Sequence, residues 1–270
     1  MPSNLSIVRK LAVTTRLRPA MRGDNLPPRF WENVNMKMTN WFLTTTTAAL
    51  MIAAQFTTAA DITGKITLKG VPPEEKVLPL DPMCGKLHAV PLKTRFYVTD
   101  GKGGLGDVFI HIKSGLAGAA PAPSATPAVL DQVGCEYTPY ILGVQVNQKM
   151  KVLNSDALLH NVHPTPAVEG NKEFNRAQLP KGPPIEAAWP QPEVLLRFKC
   201  DVHPWMFAYV GVVEHPYFAV SAKDGSFAIK NVPAGKYVIE ALHRKTGKPV
   251  TKEVTVGANG AVADFTIELQ

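Results

Sequence analysis

Turn-forming residues cut this chain into short apolar runs before any helical period can build. Its 24 prolines and 20 glycines recur between stretches rich in Val, Ile and Phe. A chain punctuated at that density folds as strands joined by turns, so the expected fold class is all-β. With 270 residues, 45% of them hydrophobic, it can bury a sizeable core divided over one to three domains.

The formal charge of +7 is unevenly spread. Residues 1–60 hold seven Lys/Arg against two Asp/Glu, or +5, and the remaining 210 hold 22 against 20, or +2. A nearly neutral folded part gives no footing for nucleic acid, and no such partner is expected. The basic N-terminal piece reads as a targeting segment. Lys37 precedes the uncharged run WFLTTTTAALMIAAQF, Trp41 to Phe56, and the small residues Thr57, Thr58, Ala59 and Ala60 follow it. That order is the pattern of a secretory signal, cleaved near Ala60, with Met36 or Met38 as alternative starts. The run is short and Thr-rich for a membrane span, which takes about 20 apolar residues. An uncleaved anchor or a buried helix is the competing reading. An exported protein, periplasmic or extracellular, is the expectation.

Beyond residue 60 the turns suggest three β modules, or two with an insertion. Residues 61–129 form an N-terminal β module: DITGKITLKG alternates as a strand, RFYV and DVFIHIKSG read as two more, and GLAGAAPAPSATPAV is an Ala/Pro-rich surface loop. Residues 130–215 carry the strands YILGVQV, KMKVLNS, VLLRFKC and AYVGVVE. Residues 216–270 alternate strands with Asp-Gly and Pro-Ala-Gly turns.

In VLLRFKC, Leu196, Phe198 and Cys200 share one strand face, so the thiol points inward at the end of a core strand. CDVHPWM follows, with Cys200, His203 and Met206 at i, i+3 and i+6 and Pro204 stiffening the turn between them. Thiolate, imidazole and thioether are three of the four ligands of a blue-copper site, and the fourth is a second histidine. His160, after the turn-like NSDALL, supplies it. Taken singly, these residues read as core cysteine, core methionine and structural histidine; their joint spacing favours a metal. Zinc is the competing ion, although it has no need of the methionine. A binuclear copper site needs a second cysteine in this loop, and there is none. His163 has the wrong strand parity to join His160. His88, His111, His215 and His243 lack ligand-spaced companions and read as structural or exposed.

HNVH (His160 to His163) and CDVHPWM together resemble the cupredoxin family in its amicyanin- and plastocyanin-like form. The resemblance covers roughly residues 130–215. It implies a Greek-key sandwich, copper on His160, Cys200, His203 and Met206, and Asn161 bracing the thiolate-bearing loop. It also implies electron transfer through a partly exposed His203, beside an apolar docking patch of Pro204, Trp205 and Phe207. With Cys200 held as a ligand, Cys84 and Cys135 are left to pair as a disulfide in an oxidising compartment, two free buried thiols being the alternative.

Asp224-Gly225-Ser226-Phe227 and Val232-Pro233-Ala234-Gly235-Lys236-Tyr237 resemble the carboxypeptidase regulatory-like domain, a smaller Ig- or transthyretin-like sandwich without catalytic residues. DITGKITLKG resembles its first strand, which allows the cupredoxin-like block to be an insertion. Two functions follow. One is an exported blue-copper electron carrier serving a redox partner such as a cytochrome or an oxidoreductase. The other is a cell-surface binding module for carbohydrate or protein, with any metal structural. No nucleophile with an adjacent base, no phosphate-binding Gly loop and no paired carboxylates stand out, so no enzyme is expected.

Overall fold

The computed structural model describes residues 58–269; the signal-like run, Trp41 to Phe56, lies outside the described residues. β1 (Ala59–Lys69) is followed by a one-turn helix α1 (Pro82–Gly85) and β2 (Val108–Ser114). Next come β3 (Ala128–Val133), β4 (Glu136–Thr138), β5 (Ile141–Gln145), β6 (Met150–Asn154), β7 (His160–Thr165), β8 (Arg176–Gln178), β9 (Ile185–Ala187), β10 (Glu193–Lys199) and β11 (Phe207–Val213). β12 (Phe218–Val220), β13 (Ser226–Pro233), β14 (Gly235–His243), β15 (Val250–Val256), β16 (Ala261–Val262) and β17 (Phe265–Glu268) complete the described chain. The fold is all-β.

Strands β3 to β11 make two sheets, ordered β4-β3-β6-β9 and β5-β11-β10-β7-β8. The strands on either side of this block share two others, β12-β2-β14-β15 and β13-β1-β16, with β17 also on β1. Both N-terminal strands find their partners late in the chain. β1 pairs with β13, β16 and β17, and β2 pairs with β12 and β14. The N-terminal segment therefore closes no core by itself: Ile62 and Ile66 of β1 and Ile110 and Ile112 of β2 share a cluster with Phe227, Ile229, Ile239 and Phe265. Of the two arrangements the turns allowed, the structure takes the insertion, with the β3–β11 block set between β2 and β12. Ala59 and Ala60 pair with Pro233 and Val232, so a chain cut after Ala60 begins without these two β1 pairs.

RFYV, residues 95–98, is not a strand, contrary to its apolar pattern. Its polar and aromatic groups have other partners. The Tyr97 N–H donates to Glu75 Oε1 at 2.6 Å, the Tyr97 ring stacks on His243 at 5.3 Å, and Arg95 pairs with Asp107 at 3.0 Å. With the backbone satisfied by a side chain, no neighbouring strand is required.

The outer sandwich meets the inserted block through two phenyl rings laid flat on two glycines. Gly143 of β5 and Gly211 of β11 are register partners. A Cβ at Gly143 would stand 2.2 Å from the Phe218 ring, and one at Gly211 would stand 2.3 Å from the Phe109 ring. Phe109 and Phe218 stack at 5.9 Å, and Phe109 shares a buried cluster with Tyr140, Ile141 and Val213. Burying one such ring contributes about 1.5–3 kcal/mol.

Candidate metal centre

The centre is assembled from a turn, a strand and a loop. The β6–β7 turn is shaped by Asn154, whose side chain donates to the Leu158 carbonyl at 2.9 Å and accepts from the Asp156 N–H at 3.1 Å. This swings the Asp156 carboxylate inward. There it accepts three hydrogen bonds: from the Gly134 N–H at 2.6 Å, the Cys135 N–H at 2.8 Å and His160 Nε2 at 2.9 Å. Gly134 and Cys135 form the two-residue turn between β3 and β4, with φ of 65° and 58°. Both values lie in the left-handed region that a tight, right-twisted hairpin needs, and Asp156 holds the non-glycine residue in it.

His160 opens β7 and is 0% exposed. A carboxylate can only accept, so Nε2 carries the proton and Nδ1 presents its lone pair. The facing ring is His203, whose Nδ1 lies 2.9 Å from His160 Nδ1 and 3.7 Å from Cys200 Sγ. Its far nitrogen, Nε2, lies 3.3 Å from Asp81 Oδ2. Burial, and then the neighbouring His160 ring, hold the His203 pKa below the ordinary histidine value, with Asp81 and Asp156 opposing. Both Nδ1 atoms face one point, where a cation can take the place of the hydrogen bond between them.

Cys200 follows β10 and is buried at 2% exposure, on the same face as Leu196 and Phe198. Its sulfur accepts the Asn161 N–H at 3.2 Å. The loop closes on itself: the Cys200 N–H donates to the Met206 carbonyl at 3.2 Å, and the Met206 N–H to the His203 carbonyl at 2.9 Å. Met206, 1% exposed, packs in the core cluster that holds Cys200 and Phe198. One donor atom from each of His160, Cys200 and His203 lies within 4.8 Å of the others. Two imidazole nitrogens and a cysteine sulfur, with a methionine in the same core cluster, are a copper-type donor set, and these residues fit the ion.

The Asn161 side chain does not reach the loop directly. It donates to Asn175 Oδ1 at 2.8 Å, Asn175 donates to Asp201 Oδ2 at 2.5 Å, and His163 Nδ1 meets the same oxygen at 2.7 Å. Lys199 and His163 together hold the Asp201 carboxyl down at about 2. Tyr137 bridges the two ligand-bearing strands from beneath: its hydroxyl donates to the Asn161 carbonyl at 2.6 Å, with the Lys199 carbonyl at 3.3 Å, and burial raises its pKa.

The expectation of a partly exposed His203 needs correction: it is 6% exposed. Asp81 caps α1 through the Met83 and Cys84 N–H groups, and the same carboxylate covers His203 Nε2. Cys84 is joined to Cys135 by a disulfide, which pins α1 over the ring. The loop beside it is also less open than an apolar docking patch. Pro204 is exposed, but Trp205 and Phe207 are half-buried. The Trp205 indole N–H donates to the Cys135 carbonyl at 3.1 Å, and Arg197 covers the Phe207 ring at 4.8 Å. Sequence reasoning missed Asp81 and Asp156. Asp156 offered one signal, its place four residues before His160 in a turn.

No protein-family model matches this chain, and no curated protein matches it. Part of the chain is similar to solved cupredoxin structures. A purple cupredoxin from Nitrosopumilus maritimus shares 26% identity over 32% of this chain and 98% of its own, at a TM-score of 0.27. A point mutant of amicyanin in the oxidised state shares 23% over 38% of this chain and 97% of its own, at 0.29. A copper-containing nitrite reductase from Thermus scotoductus SA-01 shares 22% over 37% of this chain, at 0.30; the similarity spans 25% of that enzyme.

Proposed function

We propose that this protein is an exported blue-copper electron carrier, with one copper ion held by His160, Cys200, His203 and Met206. The observation that supports it best is the pair of Nδ1 atoms 2.9 Å apart, each ring with a carboxylate near its far nitrogen, beside a buried cysteine sulfur. Copper bound there supplies one-electron chemistry between Cu(I) and Cu(II).

The chain's own residues do the rest. Asp156 fixes the His160 tautomer, Asp81 places a negative charge beside His203, the Asn161 N–H tempers the charge on the thiolate, and the Tyr137 brace keeps the strands from shifting as that charge changes. The disulfide suits an oxidising compartment and supports export. With His203 covered, a redox partner protein such as a cytochrome docks over Trp205, whose ring lies 5.3 Å from that of His203. The test is electrochemical. A copper-loaded protein is to show a reversible one-electron couple, and Met206→Leu is to keep the couple while shifting its potential. Copper that cannot be reversibly reduced overturns the reading.

A further inference from the structure

The disulfide that pins α1 lies against the same ring. One donor atom from each of Cys84, Cys135 and His203 lies within 4.8 Å of the others, all three residues buried. A tetrahedral ion with metal–sulfur bonds of about 2.3 Å wants its thiolates about 3.8 Å apart. Opening the sulfur–sulfur bond and letting the two sulfurs part to that spacing leaves His203 in reach of the same ion. Asp81, 3.3 Å from His203 Nε2 and hydrogen-bonded to the Cys84 N–H, lies beside this trio, and solvent supplies the fourth donor.

Access is short. Met83, beside Cys84 on α1, is 55% exposed, and the helix has four residues with Asp81 as its cap. The bond also does structural work, since it closes a loop between cysteines 51 residues apart and so restricts the unfolded chain. A metal ion bridging the same two sulfurs restores that closure.

We propose that Cys84 and Cys135, once reduced, form a latent second metal site with His203 for a thiophilic d¹⁰ ion such as Cu(I) or Zn(II). A dithiol supplies two electrons and two protons and leaves as its own disulfide. Each cysteine thiol then gives its proton to solvent as it binds the ion. The site adjoins the Cys200 centre through His203 but does not need Cys200.

The test uses the Cys200→Ser protein, which lacks the thiolate of the first centre, with Zn(II) as the probe. It is reduced with a dithiol and freed of it under argon. Reduced Cys200→Ser is to bind one Zn(II) in competition with a chromophoric chelator and to gain thermal stability on doing so; the oxidised form is to bind none at the same concentrations. Adding His203→Ala is to weaken the reduced form at least tenfold, and adding Cys84→Ser is to abolish binding. No binding by the reduced form overturns the proposal, as does unfolding on reduction that Zn(II) does not rescue. Affinity unchanged by His203→Ala also overturns it, since a loose dithiol would then be enough. None of these results depends on whether the Cys200 centre takes copper.

Discussion

The Asp156 carboxylate meets the His160 ring, Oδ2 to Nε2, at 2.9 Å, and this contact decides which nitrogen of His160 faces the centre. The same carboxylate holds the turn that carries Cys135. Asp156→Asn removes the charge and places an amide N–H₂ either against the Gly134 N–H or against the Cys135 N–H and His160 Nε2. Metal affinity is expected to fall about 10–100-fold, the usual cost of losing such a partner. Chelator competition measures it, and unchanged affinity would mean that His160 is oriented by something else.

Asp81 acts on the other ring. Its carboxylate is held below the ordinary aspartate range, first by the Cys84 N–H, and it lies beside His203. Removing a negative charge near the ion favours the lower oxidation state, so Asp81→Asn is expected to raise the copper reduction potential by roughly tens of millivolts. Protein-film voltammetry at neutral pH decides the matter; a fall in potential contradicts the assigned contact.

His243 gives the protein an acid-sensitive point outside the centre. It is buried, its Nδ1 has no partner among the described residues, and burial followed by Arg244 brings its pKa down to about 4. The unfolded chain takes up this proton near pH 6.5 and the folded chain only near pH 4. Stability from this residue is thus whole above about pH 6.5 and is lost as pH falls towards 4, in total roughly 3 kcal/mol. Urea unfolding of wild type and His243→Phe from pH 7 to pH 4 is expected to show a shallower loss in the variant; parallel curves would exclude His243 as the cause.

The two glycines at the junction predict a steric cost. Gly211→Ala puts a methyl group into the Phe109 ring and is expected to destabilise by about 1–3 kcal/mol. Phe109→Leu in the same chain is expected to recover part of that loss. Additive effects in the double-mutant cycle would place the strain elsewhere.

Much of the inserted block was legible in the sequence because its signals are local. The inward phase of Cys200 follows from Leu196 and Phe198, four and two residues earlier, and the ligand loop lies within seven residues. The second histidine needed only a turn and a strand start. What escaped depends on distance or on satisfied polar groups. Asp81 reaches His203 from 122 positions away in the sequence, and no periodicity encodes that. RFYV carries a strand-like pattern, yet Glu75 answers its backbone and leaves it irregular. The turns left the insertion open because Lys69 and Glu268, paired at 2.7 Å across adjoining strands, are 199 residues apart.

The most direct test of the copper assignment is a Cu(II) titration of the mature chain followed by visible absorption. One equivalent is expected to produce an intense thiolate-to-copper band, lost in Cys200→Ser while the far-ultraviolet circular dichroism stays that of the folded protein. A colourless copper complex, or tight zinc binding that copper cannot displace, would contradict the assignment and leave the centre a structural metal site.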